Sequence, residues 1–76
     1  MVKITNIQKK DKRILMDCYE EGKESGYFHM VMDAVTYEIL ESSSPPSIYT
    51  RQARAKVRSL AEKGEELPQE ASSYWC

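Results

Sequence analysis

The chain has one histidine, two cysteines, three glycines and three prolines among 76 residues, and each scarcity removes a class of answer. A zinc site built from cysteine and histidine needs ligand pairs at spacings such as Cys-x-x-Cys. His29, Cys18 and Cys76 stand far apart instead, so neither a metal nor a cofactor is expected. Two cysteines are few for a small secreted domain held by disulfides, and no apolar leader stands before residue 20, so a reducing, cytoplasmic setting is expected. No apolar run approaches the roughly 18 to 20 residues of a membrane span, and no membrane partner is expected. A net charge of −1 supplies no overall attraction to nucleic acid or to an anionic bilayer.

What is present is enough for one small domain. A chain of this length buries about 60 to 65% of the surface it exposes when unfolded. Its large side chains are needed for packing, which leaves little room for an enclosed substrate cavity, so the expected function is non-enzymatic. Charge is segregated along the chain. Residues 1–13 hold five basic and one acidic residues, 14–46 one and seven, 47–63 five and one, and 64–76 none and three. Basic and acidic blocks of this kind either pair within the fold or face water.

The stretch Tyr27 to Leu40, YFHMVMDAVTYEIL, is the richest in apolar and β-favouring residues. It reads as a hairpin: a strand from Tyr27 to Met32, a turn over Asp33 to Thr36, and a return strand from Tyr37 to Glu41. Asp33 and Thr36 suit the turn because their side chains can bond nearby backbone amides. A helix over 31–40 competes, with Val31, Val35 and Ile39 at i, i+4 and i+8. The β-branched content and the turn chemistry favour the hairpin. Upstream, Val2 and Ile4 alternate with Lys3 and Thr5 in a first strand ending near Gln8, Lys9 to Lys12 turn the chain, and Arg13 to Tyr19 form a second strand. The polar loop Glu20 to Gly26 then leads into the hairpin.

Glu41-Ser-Ser-Ser-Pro-Pro ends the sheet, since neither proline can donate a ladder hydrogen bond. Ser47 can cap a helix running to about Lys63, with Tyr49, Ala53, Val57, Leu60 and Ala61 on one stripe and Gly64 at a left-handed C-cap. The pattern predicts an α+β domain: an antiparallel meander of three or four strands over residues 2–41, a Ser/Pro junction at 42–46, one helix packed on one face, and a tail from 64 to 76. The expected core is Ile4, Ile14 or Leu15, Met16, Phe28, Met30, Ile39, Tyr49, Ala53, Val57 and Leu60. A helix with one apolar stripe covers one face of the sheet. The second face, with Leu15, Tyr19, Tyr27, Val31 and Leu40, is left for the tail or for a partner.

No catalytic set is visible. His29 lacks an identifiable nucleophile and orienting acid, and reads as a strand histidine with a satisfied hydrogen bond. Gly22-Lys23-Glu24-Ser25-Gly26 fails as a phosphate loop, because Asp17 stands where the leading glycine belongs and Glu24 where a hydroxyl residue belongs. Two surfaces remain. Tyr19, Tyr27, Tyr74 and Trp75 can form a protein-docking patch, because aromatics bury much area at low entropy cost. Arg51, Arg54 and Arg58, at i, i+3 and i+7, can lie along a phosphate backbone or form a solvated face.

The order of features resembles that of small uncharacterised proteins from Gram-positive, clostridia-type bacteria, some carried on mobile elements. The residues that carry the likeness are Lys3-Ile4-x-x-Ile7, the charged turn, the Ser/Pro junction and a basic helix ending KGEELPQEASSYWC. It implies no activity and assigns no residues. VMDAVTYEIL also resembles the Asp-Ala-x-Thr-Gly-Glu hairpin of PepSY-type sheet domains, with Tyr37 at the glycine position, and this likeness extends to turn chemistry alone. The expected function is an accessory or interaction protein whose partner is an unknown protein or a second copy. The alternative is a nucleic-acid-associated regulator using the basic helix.

Overall fold

Alternation builds the sheet, and residues 1–75 are described by the computed structural model. In chain order it contains β1 (Val2–Lys10), β2 (Arg13–Glu20), a 3-10 turn (Glu24–Gly26), β3 (Tyr27–Asp33), β4 (Ile39–Ser42), α1 (Ile48–Glu62) and β5 (Ala71–Ser73). The fold is α+β. The first four strands form an antiparallel meander, and β5 joins the free edge of β1 to give the order β4-β3-β2-β1-β5. The tail therefore adds a strand that its polar composition did not announce. It pairs Val2 with Ser73 and Ile4 with Ala71.

Even-numbered residues of β2 and β3 point to one side and form the core: Ile14, Met16 and Cys18 opposite Met32, Met30 and Phe28. Val2 and Ile4 continue this layer on β1. Ile7 joins it only because the register of β1 slips between Thr5 and Gln8, where Asn6 takes a positive φ of 50°. Such a bulge inserts one residue and returns the next apolar side chain to the core face. Asparagine tolerates that conformation better than most residues.

Helix α1 supplies the second layer. Ser47 accepts from the Tyr49 and Thr50 amides, Thr50 returns a bond from the Ser47 amide, and Gly64 closes the far end at φ 73°. The helix lies alongside the strands. At its start Tyr49 donates to Glu21 just past β2, and at its end Ala61 lines a cleft with Ile7, Ile14 and Ala34. Its buried stripe is Thr50, Ala53 and Val57, continued by Ala61. Leu60, expected in the core, is half-buried on the flank, because the stripe that faces the sheet runs from Val57 to Ala61.

The hairpin reading of residues 27–41 holds, with the return strand starting at Ile39 instead of Tyr37. Asp33 Oδ1 accepts from the Val35 and Thr36 amides at 2.7 and 2.9 Å, and Thr36 Oγ1 from the Glu38 amide at 3.3 Å. These bonds hold the Asp33 carboxyl below its usual range, the Thr36 amide contributing most. Tyr37 has a φ of 63°, a left-handed conformation that favours glycine.

Gly26 shows where close approach sets a residue. A Cβ there would sit 2.8 Å from both Cβ and the carbonyl oxygen of Glu20. At Gly64 nothing lies within 4 Å, and only its positive φ matters. Gly26→Ala should lower the unfolding free energy by about 2 to 3 kcal/mol, and Gly64→Ala by about 1 kcal/mol. Urea titration tests this, and the reverse ranking would show that the 3-10 turn yields freely.

Candidate functional site

With the helix on one side, the odd-numbered residues of β2 and β3 lie on the opposite, open face, where Arg13 and Tyr27 are exposed and Val31 is buried. The ladder arranges them in four rows: Arg13 beside Asp33, Leu15 beside Val31, Asp17 beside His29, and Tyr19 beside Tyr27. Each row holds side chains that attract or match one another, the arrangement that stabilises cross-strand pairs. Glu41 extends the Leu15–Val31 row on β4, and Gln8 extends it on β1.

Asp17 is the hub. Its Oδ2 accepts from Asn6 Nδ2 at 2.9 Å, and its Oδ1 accepts from the Tyr27 hydroxyl at 2.7 Å and lies 3.3 Å from His29 Nδ1. The bulge that returns Ile7 to the core brings Asn6 within reach of this carboxylate. The bond from Asn6 does most to hold the Asp17 carboxyl below its ordinary range, with Tyr27 and His29 adding to it against partial burial. Donating to Asp17 pushes the Tyr27 hydroxyl up.

The tyrosine rings of the last row stand 5.4 Å apart at 53°. Tyr27 is 51% exposed although its hydroxyl is bonded, so its ring is fixed and still offers its surface. His29 is anchored at Nδ1, and Nε2 has no partner among the described residues. The face thus offers aromatic area and one free imidazole nitrogen. The carboxylate that orients them is already occupied.

Of the residues expected to dock a protein, Tyr19 and Tyr27 are brought together and the tail pair is not. Tyr74 is 75% exposed beyond β5, while Trp75 packs edge-on against Tyr49, centroids 5.5 Å apart, and against the core. The tail therefore closes the helix side and leaves the open face uncovered. Cys76 lies outside the described residues. The arginine stripe divides as well. Arg54 Nε donates to the Tyr37 carbonyl, Arg58 lies 5.7 Å from the Tyr37 ring centroid and reaches Glu62, and Arg51 is exposed.

Sequence reasoning missed Asn6 and Asp17 as parts of a site. The available signal was the three-residue spacing of Ile4 and Ile7, which strict alternation cannot satisfy without a bulge. Among the described residues no group of three or more His, Cys, Asp or Glu could hold a metal ion, and no helix is long and apolar enough to cross a membrane. Compared with family models, curated proteins and solved structures, the chain matches none.

Two outcomes test this geometry. A carboxyl with a lowered folded pKa stabilises the fold above its unfolded value near 3.9, and that contribution is lost as pH falls through the folded value. Asp17→Asn should therefore cost about 1 to 3 kcal/mol at neutral pH and progressively less as pH falls through the lowered folded value, read from urea midpoints. Cys18, on the opposite side of the same strand, is buried, and burial chiefly pushes its thiol up to about 12. In a Cys76→Ser chain, alkylation at pH 8 should be at least ~100-fold slower in the native than in the urea-unfolded state. A fast native reaction would show that the core face opens readily.

Proposed function

We propose that this chain is a small non-enzymatic interaction domain that docks a protein on the open face of its sheet. The observation that carries the reading is the Asn6–Asp17–Tyr27–His29 cluster on a face that no helix or tail covers. Side chains that only needed solvation would not require a carboxylate bonded by three neighbours to fix two rings. Ordering them beforehand lowers the entropy lost on docking.

Nucleic acid is the weaker partner for either surface. On the open face the carboxylates of Asp17, Asp33 and Glu41 offset Arg13, Lys3 and Lys10, so it has no net positive charge to draw phosphate. On the helix, two of the three arginines are engaged with Tyr37. Phosphate contacts need free guanidinium groups.

The test is affinity capture with three forms of the full chain: unaltered, Tyr19→Ala with Tyr27→Ala, and Arg51→Ala with Arg54→Ala and Arg58→Ala. Capture of a protein that weakens by about tenfold or more in the tyrosine variant and persists in the arginine variant is the expected result. A salt-sensitive shift of DNA or RNA, lost only in the arginine variant, would overturn it.

A further inference from the structure

The four rows of the open face are not only matched within one sheet; their order makes the face complementary to itself. A twofold axis parallel to the strands, running between β2 and β3, exchanges those strands and keeps every residue at its height along the strand. Each row then meets its own row on a second copy. Tyr19 faces the second copy's Tyr27, Asp17 its His29, Leu15 its Val31 and Arg13 its Asp33, and each contact occurs twice, as the register of β2 with β3 dictates; Val31 is buried in its own chain, so Leu15 supplies most of the aliphatic contact. Outside these, Gln8 meets Glu41. No like charges are brought face to face.

We infer that the open face binds a second copy of this chain, forming an isologous dimer whose two sheets stack with aligned strands. The inference rests on the docking reading above and names its partner. Two observations favour a second copy over an unrelated protein. Self-complementarity in all four rows is a condition that a twofold imposes and a different partner does not. The alternative axis, across the strands, would set Leu15 and Val31 against the saturated Asp17–His29 row and Arg13 against tyrosine, so the face selects one arrangement. Size sets its strength: at about 4.8 Å spacing, β1, β2 and β3 each contribute about 23 Å of strand and the short β4 about 13 Å. Two such patches bury about 800 Å², below a standard specific interface and in the range of weak, transient pairs. Lys3 and Lys10 on β1 fall at its rim, where polar side chains are normal.

An interface this small is a weak one, and the expected dimer is reversible, with an apparent Kd of about 10 to 100 μM. The experiment is sedimentation velocity over a concentration series on the full chain under reducing conditions. Leu15→Arg places two cations in the aliphatic row and should raise the apparent Kd by about tenfold or more. Because this variant can also disturb the sheet, a pair of surface variants supplies the second test. Tyr27→Glu and Tyr19→Lys should each associate weakly alone, whereas their mixture should form a mixed dimer, since the twofold brings residue 27 of one copy against residue 19 of the other. Arg51→Ala, on the helix, should leave the association unchanged.

A chain that remains monomeric at about 1 mM overturns the dimer; the docking reading then stands or falls on the capture experiment alone. A dimer that Leu15→Arg leaves intact, or a mixture of the tyrosine variants that stays monomeric while each is folded, overturns the assignment of this face.

Discussion

A single helix of 15 residues can cover one face of a five-stranded sheet and no more, and most of the molecule follows from that limit. The core lies between the two layers, with Ile14, Met16, Cys18, Phe28, Met30 and Met32 beneath Ala53 and Val57. Small residues on the buried stripe let the helix lie close, so the larger Phe28 and the methionines of the sheet fill the space. The other face of the sheet has to manage without a second layer.

On the helix side, the same economy draws charged and aromatic residues into structural work. Tyr37, held at positive φ, is gripped from the helix by Arg54 at its carbonyl and by Arg58 over its ring. The clamp joins the β3–β4 turn to the helix, and it explains why the arginine spacing is regular without forming a free basic stripe. At the opposite end, Tyr49 bonds Glu21 through its hydroxyl and packs its ring on Trp75. Strand β5 completes this seam along β1, so the tail belongs to the scaffold.

On the open side, polar chemistry replaces packing. Asp17 is bonded by Asn6, Tyr27 and His29, which keeps a carboxylate on a partly apolar surface satisfied and the rings around it ordered. Aromatic area held in place on a flat sheet face, beside an aliphatic row, is the kind of surface that buries readily against another protein. The proposed function and the proposed dimer both draw on it. The bulge at Asn6 links the two sides, since one displaced residue sends Ile7 to the core and Asn6 to the carboxylate.

Sequence patterns determined what depends on local chemistry. Alternation marked β1 to β3, the Ser/Pro junction ended the meander, Ser47 and Gly64 bounded the helix, and Asp33 and Thr36 marked the hairpin turn; these signals act over four residues or fewer. They left Ile14 and Leu15 undecided, placed Leu60 in the core, and gave the tail no strand. Tertiary structure decided those points and the site itself. Whether Asp17 meets His29 depends on the register of two strands across a loop, whether Arg58 meets Tyr37 depends on how a helix is rotated over a sheet, and whether Ala71 to Ser73 become a strand depends on a free edge at β1. Each is a contact between distant residues, fixed by packing and pairing energies that no local pattern encodes.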